Sequence, residues 1–434
     1  MISIKKWAIS FVEYVYAKVF KKEMNDNMRR FLKNLSLSVL GGGIASVTMM
    51  AINIGAGRMM NPSGYGKYGL VLAISQIIMV PIVLGLDVSG VRTISSAESK
   101  REKSLNISSV FYFVGLSSIT FVIIYLVSNN FVSKILNIDR TILLMSAIYT
   151  IVTSFKVISD SFVRALLLFK IQLFARFAEV ITIIVLFSLF FLIIEKQNYT
   201  NYLISILGGS IIFCAILLTK YFSYLTKFDF RYLKKQLSYS SVLLFGAILG
   251  AIYNALEKLV IARYLSVFDL GIYLAYFTAS LGMVAQIIQM FVNVFFPSIT
   301  KSSSRSVYLK VEKIFLSLFF PALIFISCLI LIIITLFGKT YGMNYYYVFG
   351  FGLLATLQIL LGINYYIFVS SSKKLYFTYV KYVGAINFLQ LLAYGAMINF
   401  GIVSIGLIIV LSLLNSIANI VFQRKLIMSE GILV

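Results

Sequence analysis

The sequence predicts an all-α polytopic membrane protein: twelve transmembrane helices in two six-helix lobes related by a parallel repeat, both termini cytoplasmic. Three observations carry this. Of 434 residues, 60% are apolar and only 12% charged, about half the charge of a soluble domain. Twelve mostly apolar stretches recur, each long enough to cross a hydrocarbon core of about 30 Å. The two halves also share residues at one fixed spacing.

In chain order the stretches fall at 35–57, 69–88, 106–127, 141–159, 177–194, 202–219, 238–262, 270–296, 314–337, 345–369, 376–399 and 402–422. Lysine and arginine collect on cytoplasmic loops. With the N-terminus inside, 29 of the 38 basic residues fall on the inner side and only seven outside, which orients the chain. The formal charge of +23 is then topogenic, and nucleic acid is not expected as a partner.

Ahead of the first span, 1–34 reads as a basic amphipathic interfacial segment. Ile4, Trp7, Phe11, Val15 and Val19 line one helical face, with lysines between them, a pattern that suits an anionic lipid surface. Residues 35–225 form the N-terminal lobe, 226–237 a cytoplasmic linker, 238–425 the C-terminal lobe and 426–434 a tail.

There are no histidines, which excludes Ser-His-Asp triads, Cys-His dyads and histidine metal sites. Cys214 and Cys328 both lie in apolar runs, where a small buried side chain is the simpler role. No cofactor is expected and no catalytic residue stands out. The external loops are too short for a folded domain.

The repeat is the most specific signal. Arg58, Gly66 and Tyr68 recur as Arg263, Gly271 and Tyr273, all offset by 205 residues, at the outer ends of spans one and seven. Six helices of offset make a parallel repeat, with a transport path between two lobes.

Ionisable residues inside spans are costly and so mark function. In span four, Lys156, Asp160 and Arg164 lie at i, i+4 and i+8 on one face. They form either a cationic strip facing a cavity or a salt-bridged stripe holding helices together. In span seven, Glu257-Lys258 is either an ion-coupling pair with a phosphate-touching lysine or a self-neutralised structural pair. Arg58 and Arg263 either snorkel to headgroups or meet a diphosphate, with snorkelling favoured. Asp87, at the inner end of span two, is a gating candidate opposite Arg92. Gln286, Gln289 and Asn293 form one polar stripe on span eight. Asn53, Gln76, Gln358 and Asn364, with the 28 tyrosines, could meet sugar hydroxyls.

At these residues the sequence resembles the multidrug/oligosaccharidyl-lipid/polysaccharide (MOP) exporter superfamily, and within it the Wzx-type flippases of O-antigen and capsule repeat units. The motifs are Arg58 followed by Gly66-Lys67-Tyr68, then Gly85-Leu86-Asp87 with Arg92, Glu257-Lys258 before Gly271-Ile272-Tyr273, and Pro297-Ser298. The likeness spans about 30–425. Many members carry aspartate where this chain has Glu257, and the N-terminal extension is longer than usual. The resemblance implies a bacterial inner-membrane flippase, not an enzyme. It implies an undecaprenyl-diphosphate-linked oligosaccharide as substrate, a proton or sodium ion as coupling ion, and a polymerase and chain-length regulator as partners.

Rival readings fit less well. A polymerase, ligase or glycosyltransferase of the same pathway usually carries a large catalytic external loop. A major-facilitator transporter of a small solute usually carries a basic loop motif that residues 90–103 lack, and an ATP-driven flippase needs a phosphate-cradling loop that is absent.

Overall fold

Apolar runs long enough to bury their backbone polarity within themselves leave the helix as the economical structure in lipid. The computed structural model describes residues 26–136, 138–288, 304–371 and 373–429. Among these there are helices and no strands. In chain order they are α1 (Asp26–Val83), α2 (Leu86–Ser95), α3 (Lys100–Leu136), α4 (Arg140–Ala165), α5 (Phe169–Ser188) and α6 (Tyr199–Tyr221). The second half holds α7 (Phe230–Tyr264), α8 (Val267–Phe277), α9 (Ser304–Phe337), α10 (Tyr345–Ser370), α11 (Lys373–Asn399) and α12 (Ile405–Ser429). A π-helical turn, Thr278–Gly282, carries α8 onward.

Nine helical stretches among the described residues are long and apolar enough to cross a membrane. One of them, Ala45–Val83, contains both of the first two expected spans. The turn-rich loop expected between those spans is instead a hinge at a single residue: Asn61 has φ 60° and ψ 167°, and Pro62 follows it inside α1. Proline is tolerated in a first helical turn, where its missing N–H is not needed, so the second limb restarts at once. The expected seventh and eleventh spans lie within α7 and α11. The interfacial segment at 4–22, together with Gln289 and Asn293, lies outside the described residues.

Two boundaries differ from the sequence reading. Of the expected linker, 230–237 already belongs to α7, because the Asp229 carboxylate caps the helix by accepting from the Arg231 backbone N–H at 2.9 Å. The Arg231 side chain bonds the same carboxylate and holds it below its ordinary range. The expected tail begins at 426, yet Leu426 and Ile427 are buried in α12 against Phe368 and Tyr379.

Packing follows the repeat. Gly66 and Gly271 sit where the second limb of α1 crosses α8, with the backbones in contact. A Cβ on Gly66 would overlap the Val267 carbonyl oxygen and lie 3.0 Å from the Gly271 nitrogen. A Cβ on Gly271 would overlap the Pro62 carbonyl. Pro62 and Val267 are themselves 205 residues apart, so the crossing is pseudo-two-fold. Small residues let helices approach this closely in lipid, where packing rather than hydrophobicity drives association. Around the crossing a buried core unites residues of both halves, including Tyr65, Tyr68, Tyr273, Phe337 and Tyr341. A second core, with Phe162, Phe213 and Tyr221, lies mostly in the first half and takes in Leu233 from the start of α7.

Candidate functional site

Lys156, Asp160 and Arg164 do share one face of α4, as their spacing requires. That face lines a cavity of about 410 Å³, together with Gln76 and Met79 of α1, Tyr149 and Thr153 of α4, Arg176 of α5 and Phe213 of α6. The strip is both cavity-lining and ion-paired. Lys156 bonds the carboxylate of Glu179 on α5, and its ammonium lies 5.5 Å from the centre of the Phe213 ring. Asp160 accepts from Gln172 at 2.7 Å and pairs with Arg164 and Arg176, each at 3.3 Å. Arg176 also stacks over Phe213. Three cations thus face two carboxylates. Both arginines keep about two-fifths of their side chains exposed, while Glu179 keeps only 9%.

Glu179, Arg176 and Gln172 join the site from α5 without standing out in the sequence. The available signal was a glutamate inside the apolar run 177–194, three residues after an arginine and so on the same helical face.

Glu257 and Lys258 are both buried, and adjacent positions on a helix diverge. No ion pair joins them among the described residues. The Glu257 carboxylate accepts from the Tyr273 hydroxyl at 2.6 Å and from the Tyr394 and Ser412 hydroxyls at 2.8 Å each. The Lys258 ammonium donates to the Asn254 carbonyl at 2.7 Å and lies 4.8 Å from the centre of the Phe277 ring. The self-neutralised pair is therefore corrected: each charge is held by neutral neighbours on different sides of α7. Gln390 supports the carboxylate's ring of donors, bonding Tyr394 and Ser412.

The remaining candidates are spread out. Arg58 and Arg263 are exposed, and Arg58 borders Gly338 after α9. Asp87, at the start of α2, lies within the field of Arg164 but does not line the cavity. Gln286 accepts from Ser46 of α1 at 3.1 Å, linking the two halves. Asn53 accepts from the Tyr202 hydroxyl at 2.7 Å.

A family model described as "Polysaccharide biosynthesis protein" matches residues 56–344. No curated protein sequence matches the chain. Among solved structures, an inward-facing multidrug resistance MATE family transporter of the MOP superfamily is similar at TM-score 0.57 and 14% identity, over 89% of this chain and 95% of that one. An outward-facing structure of such a transporter is similar at TM-score 0.51 and 13% identity, over 92% and 96%. A MOP superfamily transporter from Pyrococcus furiosus, described by the reverse polarity of its binding pocket, is similar at TM-score 0.51 and 12% identity, over 94% and 99%. The fold is that of the MOP superfamily.

Proposed function

We propose, since the chain belongs to the polysaccharide biosynthesis protein family, that it is a flippase of the bacterial cytoplasmic membrane. It moves polyprenyl-diphosphate-linked oligosaccharides by alternating access, for O-antigen or a related surface polysaccharide. In this reading the chain crosses the membrane twelve times with both ends cytoplasmic, and acts with a polymerase and chain-length regulator rather than as an enzyme itself.

The observation that carries the reading is the cavity holding Lys156, Asp160, Arg164 and Arg176. Ions inside membrane helices are retained where they serve a polar substrate or a relay. The polyprenyl tail can stay in lipid, whereas the diphosphate and sugars cannot cross hydrocarbon unaided. Arg164 and Arg176, part-exposed and sharing one carboxylate, offer guanidinium donors suited to phosphate oxygens. Gln76 and Tyr149 beside them suit hydroxyls, and Phe213 offers a ring face. Glu257, buried among hydroxyl donors, is the coupling carboxylate for a proton or sodium ion.

The test is transfer of labelled undecaprenyl-diphosphate oligosaccharide across proteoliposomes. Movement without covalent change, slowed at least tenfold by Arg164→Ala and Arg176→Ala at equal protein, supports the reading. A covalently altered product, or full-rate movement in both variants, overturns it.

A further inference from the structure

The face of α12 turned into the protein carries Ser412, Asn415, Ser416, Asn419 and Gln423, all buried. Among the described residues, four of these five reach no ion. We propose that they form a hydrated path by which water reaches Glu257 from the C-terminal end of α12. The proposal rests on the reading of Glu257 as the coupling carboxylate, which needs access to one aqueous side.

The contacts fall into three links along the helix. Ser412 donates to Glu257 at 2.8 Å. Asn419 donates to the Asn415 side chain at 2.7 Å, and Asn415 donates to Asn387 of α11 at 3.1 Å. Gln423 accepts from Asn364 of α10 at 2.9 Å. From Ser412 to Gln423 the helix rises about 16 Å, and one residue further on Arg424 pairs with Glu312 at 3.3 Å, where the helix end meets polar surroundings.

Along the same line, three amide oxygens, those of Gln390, Asn364 and Asn419, are buried and accept no hydrogen bond among the described residues. Buried polar atoms left over by protein partners are commonly satisfied by water, and three of them beside one file of amides mark where it would stand. Behind Tyr273, a donor to the carboxylate, rings pack together: Tyr273 lies edge-on against Phe351 at 5.4 Å, and Tyr276 stacks on Phe351 at 5.9 Å. The groups facing Glu257 are the phenols of Tyr253, Tyr273 and Tyr394 and the Ser412 hydroxyl, while the Lys258 ammonium points to Phe277. The proposed access therefore runs along α12. The rival role for buried amides in lipid is dry interhelical glue.

Full-length protein in proteoliposomes, with Cys214 and Cys328 changed to Ser, separates the two. Single cysteines at Ser412, Ser416 and Asn419 are challenged with silver ions, which react with thiols that water reaches. The readout is the fraction still labelled by a thiol dye after unfolding. Silver is expected to block all three at least tenfold faster than Leu414→Cys and Val421→Cys, on the exposed side of the same helix. Rates at Ser416→Cys and Asn419→Cys no faster than at those two controls overturn the proposal. Ser412→Cys and Ser416→Cys are nearly isosteric, so they report even if Asn419→Cys does not fold. No substrate or gradient enters the measurement, so its outcome is distinct from whether Glu257→Gln abolishes coupling.

Discussion

Gly66 and Gly271, 205 residues apart in the sequence, are packed against each other at the crossing of α1 and α8, and each abuts the carbonyl four positions before its partner. The repeat is therefore a contact as well as a similarity: the same residue, used twice, lets two pseudo-equivalent helices touch backbone to backbone.

Alanine at either glycine should force the helices apart, because the obstructing atoms are backbone carbonyls that cannot rotate away. Overpacking of this kind costs about 1–3 kcal/mol, and the pseudo-two-fold geometry implies similar losses for Gly66→Ala and Gly271→Ala. Gly250 and Gly395 are helical with nothing within 4 Å of their Cβ positions among the described residues. Alanine there should be neutral or gain up to about 1 kcal/mol of helix propensity. Thermal unfolding in detergent checks all four, and equal melting of the two classes would remove the crossing's role.

The Asn61 hinge is the second case. Its φ and ψ fall where glycine alone is at ease, and a non-glycine residue there costs on the order of 1–3 kcal/mol. Asn61→Gly should relieve part of that strain and raise the melting temperature if the bent state dominates. Asn61→Ala should lower it. A reversed order would mean that α1 is straighter in the membrane.

What could be read in advance follows from what leaves a periodic or compositional trace. The span lengths, the shared face of Lys156, Asp160 and Arg164, and the repeat at 58–68 and 263–273 are one-dimensional patterns, and the helices and the Gly66–Gly271 contact follow them. The hinge at Asn61 was hidden because asparagine-proline reads equally as a loop. The partner of Lys156 was hidden because Glu179 is 23 positions away on another helix, and pairing across helices has no local signature. For Glu257 and Lys258 the sequence leaves a self-neutralised pair and separate roles equally open, because adjacency along the chain does not say where each side chain turns; the helix sends them to different neighbours.

The Lys156–Glu179 pair allows stability to be separated from transport. Removing one member strands a mostly buried charge. Because Lys156 keeps about a quarter of its side chain exposed, the cost falls below the 3–5 kcal/mol of a fully buried pair, at roughly 1–3 kcal/mol. Lys156→Met and Glu179→Met should each lower the melting temperature, and the double variant should recover most of it, since apolar replacement of both partners is often neutral. Flipping should remain impaired in the recovered double variant. Full transport there would show the pair to be scaffolding alone.

Glu257→Gln is the sharpest probe of coupling. The amide keeps the volume and one oxygen to accept from Tyr394 and Ser412, so the protein should fold with at most a modest loss. The amide cannot exchange a proton or balance a cation, so translocation in proteoliposomes should lose its dependence on an imposed proton or sodium gradient while basal movement persists. Tyr394→Phe removes one of the donors to the carboxylate, at a cost of about 1–3 kcal/mol. It should weaken the gradient dependence without abolishing it. If Glu257→Gln responds to the gradient as the parent protein does, coupling resides elsewhere, and Asp160, at the centre of the N-terminal cluster, is the carboxylate to replace next.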